Sequence, residues 1–91
     1  MILYTMDINQ LIEIIEKKIL SHDCISKVKI EDKSFLHKNH KNNVQGKFHI
    51  LLTIESKELK KKSKINSTRF IYKILDYELE KYIHSLQIKL I

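Results

Sequence analysis

In the ten residues 47–56, KFHILLTIES, every second side chain is large and apolar: Phe48, Ile50, Leu52 and Ile54. Strict alternation puts all four on one face of an extended strand. That face needs a cover, and a single strand has none, so the rest of the chain must supply both strand neighbours and a layer packed against them. The same alternation sends His49 to the opposite face, where an open, exposed position is expected for it.

Two segments have the period that a covering layer requires. Asp7, followed three residues later by Gln10, resembles a helix-capping pair. Ile8, Leu11, Ile12, Ile15 and Ile19 then recur at helical spacing, with Glu13, Glu16, Lys17 and Lys18 left for solvent, which predicts a helix over 7–20. Further on, Ile71, Ile74, Leu75, Leu79 and Tyr82 form a second stripe, predicting a helix over 67–83 capped by Asn66 or Ser67. Glu78 falls inside that stripe, so its carboxylate must reach the rim or find a buried partner that the sequence does not name.

Two more runs alternate. Val28 and Ile30 against Lys27 and Lys29 predict a strand over 25–32, after a break at 21–24 (SHDC). Leu86, Ile88 and Leu90 against Gln87 and Lys89 predict a short last strand beginning after His84. Residues 33–46 are polar, rich in Asn and hold the only glycine, Gly46, so they read as a long hairpin loop. Residues 57–66 (KELKKKSKIN) are too polar to bury much beyond Leu59 and Ile65 and read as a short helical turn with a connection. The order helix, strand, strand, helix, strand gives a two-layer α+β domain with a three-stranded mixed sheet. Its last two strands are free to pair in parallel through the helix between them.

Length and composition limit the rest. Ninety-one residues make one domain, spanning 1–91, and 43% apolar with 31% charged residues fits a chain that folds. No stretch has the roughly 18 apolar residues of a membrane span, and the opening MILYTMDINQ lacks the basic and apolar regions of a secretion leader, so a cytoplasmic protein without membrane partners is expected. The lone Cys24 forms no internal disulfide, agrees with a reducing compartment and is expected to pack as a small apolar side chain near the sheet edge. The net charge of +6 favours anionic partners, although Lys far exceeds Arg, as compositional bias alone would produce. No Ser/His/Asp or Cys/His catalytic arrangement, paired carboxylates or phosphate-binding glycine loop is visible, so an adaptor and not an enzyme is expected.

Three of the five histidines, His37, His40 and His49, fall in the segment 32–49 (DKSFLHKNHKNNVQGKFH). Taken alone they suggest solvated loop residues or, less readily, a zinc site. Their spacing matches no zinc signature and no general base accompanies them. His84 in the last turn of a helix would by default serve the helix dipole. His22, after the first helix, has no partner that the sequence names.

With these elements in order, the chain resembles the BolA family, whose members have a class II KH-like fold. DKSFLHKNH is similar to the family's D-x-S-x-x-H run through Asp32, Ser34 and His37, with His40 just beyond. HILLTIESKEL resembles its central strand and turn, with His49, Ser56 and Leu59 in register. IYKILDYELEKYIHSLQI resembles its terminal segment, with Tyr72, Leu75, Glu78, Leu79, Ile83, His84, Leu86 and Ile88 aligned. There are departures. Thr68 replaces a histidine of an R-H-R run and only Arg69 of that run remains; Leu59 replaces the turn aromatic and Lys61 a glycine. One glycine also excludes the G-x-x-G clamp of nucleic-acid-binding KH domains.

The resemblance implies a partner of a monothiol glutaredoxin. The two proteins would share a bridging 2Fe-2S cluster, in iron–sulfur cluster trafficking or in iron and redox regulation. Glutaredoxin and glutathione would supply thiolates, and this chain, a monomer without cofactor when alone, would supply two histidines. By position these are His84 and His37, with His40 as the alternative to His37 and His49 steadying the site through a hydrogen bond. Imidazole suits iron, and a chain with one cysteine needs a thiolate-rich partner for such a cluster. The alternative is a DNA-binding transcriptional regulator using Lys60, Lys61, Lys62, Lys64 and Arg69, where relatives are proposed to present a helix-turn-helix-like surface. With almost no base-reading or stacking groups there, the expected affinity is weak and strongly salt-dependent.

Overall fold

The structure, a computed structural model, describes residues 6–34 and 47–91. Its elements run α1 (Ile8–Leu20), β1 (Lys27–Asp32), β2 (Phe48–Glu55), α2 (Lys57–Lys61), α3 (Lys64–Ile74), α4 (Asp76–Lys81) and β3 (Ile83–Leu90). β2 is central: β1 pairs with it antiparallel, placing Ile30 opposite Leu52, and β3 pairs with it in parallel, placing Leu86 opposite Ile50 and Ile88 opposite Leu52. The expected α+β, mixed-sheet architecture is the observed one.

The alternation along β2 builds the core. Ile50, Leu52 and Ile54 are buried together with Leu11, Ile15 and Ile19 of α1 and with Ile71 and Leu75 of the long helical segment. α1 starts where its sequence signal lies. The Asp7 backbone N–H donates to Gln10 Oε1 at 3.4 Å, and the Asp7 carbonyl accepts the first helical bond from Leu11 at 3.0 Å.

The second helix departs from expectation in three ways. It begins earlier, at Lys64, because Ser63 caps it by accepting from the Asn66 backbone N–H at 3.1 Å. Ser67, expected as a cap, lies a turn inside the helix, buried, with its hydroxyl donating to the Leu59 carbonyl at 2.6 Å. The earlier start also turns Ile65 outward, leaving it 65% exposed.

Second, the helix is interrupted at Leu75, whose φ of −102° and ψ of 21° divide α3 from α4. Leu75 itself belongs to both sides of the break, its N–H donating to Ile71 O at 3.1 Å and its carbonyl accepting from Leu79 N at 2.8 Å. Third, the helical segment stops at Lys81 and β3 already starts at Ile83. His84 therefore belongs to a strand and not to a last helical turn.

Glu78 has its partner. The carboxylate is 3% exposed and accepts from Lys18 Nζ of α1 at 2.7 and 2.9 Å through its two oxygens. Ser56 does similar work for the other helix. Fully buried, it caps α2 by accepting from Leu59 N at 3.1 Å while donating to the Cys24 carbonyl at 2.7 Å, which pins the β2–α2 turn to the chain entering β1. Leu59 is buried, as its isolated place among lysines predicts, and Cys24 packs half-buried against the core.

Candidate functional site

The junction of α4 and β3 organises the site. Ile83 and Leu86 are both buried although they stand three apart, a spacing that a regular strand sends to opposite faces. A β-bulge resolves this. Phe48 is paired with Ile83, but the next residue, His49, is paired with Ser85, so His84 is the extra residue of β3. The bulge leaves the His84 side chain exposed on a backbone anchored from both sides: Phe48 N donates to the Tyr82 carbonyl at 2.8 Å, and Leu86 is packed in the core.

The bulge also explains why His49 is not the open residue that alternation predicts. The His49 ring is only 6% exposed. Its Nδ1 lies 2.7 Å from Ser85 Oγ, and its ring meets that of His84 edge to face, with centroids 4.9 Å apart and planes at 65°. Skipping one residue on β3 brings both the Ser85 hydroxyl and the His84 ring against it. One ring nitrogen of His49 is thus held by a hydroxyl, and its position is set before any ligand arrives.

A second set of bonds connects this pair to the start of the 33–46 segment. The His49 backbone N–H donates to Ser34 Oγ at 3.0 Å, its carbonyl accepts from Lys33 N at 2.7 Å, and Ser34 N donates to Asp32 Oδ1 at 2.9 Å. Asp32 thereby forms the short side-chain-to-backbone turn at which the chain leaves β1. This gives Asp32 and Ser34 a physical role in fixing the root of the loop beside His49.

His37 and His40 lie outside the described residues. Among the described residues no group of three His, Cys, Asp or Glu side chains converges to hold a metal ion. The donors brought together are the imidazoles of His49 and His84. An exposed imidazole on an anchored strand could fill one position on an iron that takes its other ligands elsewhere.

The remaining candidates lie elsewhere. His22 packs edge to face on Phe70 with centroids 5.3 Å apart and, with Lys18, Ser21, Lys73 and Ile74, lines a cleft of about 560 Å³ between α1 and α3. Lys60 and Lys61 are in the last turn of α2, Lys62 ends it and Lys64 opens α3; these four and Arg69 are all exposed. Lysines at a helix C-terminus also stabilise the helix through its dipole, which accounts for part of the cluster without any ligand. No helix among the described residues is long and apolar enough to cross a membrane.

The bulge was the element hidden from sequence reasoning. Its signal was present, in two apolar residues three apart where a helix gives way to a strand.

Comparison with known proteins agrees with this architecture. A family model described as BolA-like protein matches residues 22–91. The BolA domain of SufE1 from Arabidopsis thaliana is 30% identical, with 84% of each chain covered and a TM-score of 0.70. BolA1 from Arabidopsis thaliana is 25% identical, again with 84% of each chain covered, at a TM-score of 0.68. No curated protein matches the chain.

Proposed function

Because the chain belongs to the BolA-like family, we propose that it acts as an adaptor to a monothiol glutaredoxin and contributes His84 to a 2Fe-2S cluster shared between them. The observation that carries this reading is the β3 bulge, which presents the exposed His84 ring from an anchored strand and backs it with His49. The chain's own contribution is positional. Ser85 fixes the His49 ring, the His49 ring packs against His84, and Ser34 and Asp32 set the root of the segment that carries His37 and His40. When bound, the cluster would supply electron-transfer chemistry whose potential histidine ligation raises relative to all-thiolate ligation.

Anaerobic titration of this chain into a glutathione-loaded, cluster-containing monothiol glutaredoxin tests the proposal. The visible circular dichroism of the cluster should change and saturate as a heterocomplex forms. An unaltered spectrum at excess chain would refute the partnership.

The second reading, DNA binding, is favoured by one observation: four lysines are exposed within five residues across the α2–α3 connection. It predicts an affinity that falls steeply with salt and that drops when Lys60, Lys61 and Lys62 are all replaced by alanine. Measured by fluorescence anisotropy, unchanged affinity in that variant would remove the lysine cluster from consideration.

A further inference from the structure

β3 is an edge strand among the described residues. Ile91 N donates to the Ile54 carbonyl at 3.0 Å, so the backbone groups of residues 87 and 89, in step with 91, also point toward β2. Those of Leu86, Ile88 and Leu90 therefore point away from the sheet. The Leu86 carbonyl does so visibly, accepting from the Tyr72 hydroxyl of α3 at 3.3 Å.

Beside this edge runs a cleft of about 440 Å³, with Lys64, Thr68 and Tyr72 of α3 forming one wall, residues 86–89 of β3 the other, and Leu51 of β2 also lining it. The three α3 residues are spaced by four and share one helical face. That face extends about 12 Å from Lys64 to Tyr72, and the strand extends about 10 Å from Leu86 to Lys89, so the two walls are of similar length. Because β2 and β3 are parallel, the helix joining them runs against β3. Tyr72 meets Leu86 at one end, which brings Lys64 and Lys89 to the other. Both lysines are exposed.

A cleft between a helix and an unpaired strand edge, closed at one end by two cations, has the elements that bind an extended peptide by strand addition. We propose that the β3 edge binds an extended peptide segment of a partner protein, which pairs with the outward backbone groups of Ile88 and Leu90 and places an Asp or Glu side chain between Lys64 and Lys89. A peptide suits the cleft better than a nucleic acid. The edge offers backbone pairing, and the cleft has a single aromatic side chain, Tyr72, where single-stranded nucleic acids stack successive bases on several. The surface lies beyond the histidine site and does not depend on glutaredoxin binding.

The test uses the full chain, labelled with 15N, and a capped hexapeptide alternating valine and glutamate. NMR titration at low ionic strength should shift the Ile88 and Leu90 amides, and binding should weaken by about tenfold or more in the exposed-site variant Lys64→Glu/Lys89→Glu. The same peptide N-methylated at alternate residues should not bind. Absence of amide shifts at Ile88 and Leu90, binding that survives either change, or equal binding of a valine–lysine hexapeptide would overturn the proposal. So would an oligodeoxythymidylate that binds this cleft where the peptide does not.

Discussion

Replacing His84 with alanine should weaken cluster retention in the complex with a monothiol glutaredoxin by at least on the order of 10–100-fold, since even groups that only orient a metal ligand have effects of that size. The fold should survive, because the His84 side chain is exposed and the bulge is held by its neighbours Ile83 and Leu86. His49 gives a graded comparison. Alanine at 49 leaves the Ser85 hydroxyl without its ring nitrogen and His84 without its packing surface, whereas asparagine keeps a polar atom near the Nδ1 position. Cluster half-lives followed by visible absorption should rank wild type first, His49→Asn next, His49→Ala third and His84→Ala last. A His84→Ala complex as long-lived as wild type would remove His84 from the site.

The second large effect concerns stability. Lys18→Met should cost about 1–3 kcal/mol, because it leaves the buried Glu78 carboxylate without its cation. The cost stays below the roughly 3–5 kcal/mol typical of breaking a fully buried pair, since the Lys18 side chain is itself 40% exposed. In a domain of this size each kcal/mol corresponds to about 4–8 °C in Tm. The double variant Lys18→Met/Glu78→Leu should regain most of the loss, as apolar side chains of similar volume often replace buried ion pairs without penalty. Urea denaturation decides it: a Lys18→Met domain as stable as wild type would mean that Glu78 does not depend on α1.

These two cases mark where sequence reasoning reached and where it stopped. Periodicity is a property of one segment, so the element order, the buried face of β2 and the burial of Leu59 were all readable from local spacing. The Lys18–Glu78 pair joins residues 60 positions apart, and nothing in either segment selects the other. Ser63 caps α3 although the apolar stripe of the second helix begins only at Ile71, because a cap obeys backbone geometry and not the stripe. His49 was misplaced for a subtler reason. Its parity on β2 was right, but its burial depends on β3 having one residue too many, and pairing register is invisible to a strand read alone. The resemblance of the 32–37 run pointed at Asp32 and Ser34 without giving them a role; their bonds to each other and to His49 supply it.

The proposed function requires that an imidazole of this chain reach the cluster. Pulsed electron paramagnetic resonance on the reduced heterocomplex, prepared with 15N-histidine only in this chain, measures that contact directly. A 15N hyperfine coupling should be present in wild type and lost or strongly reduced in His84→Ala. A cluster-containing complex with no 15N coupling from this chain would contradict it.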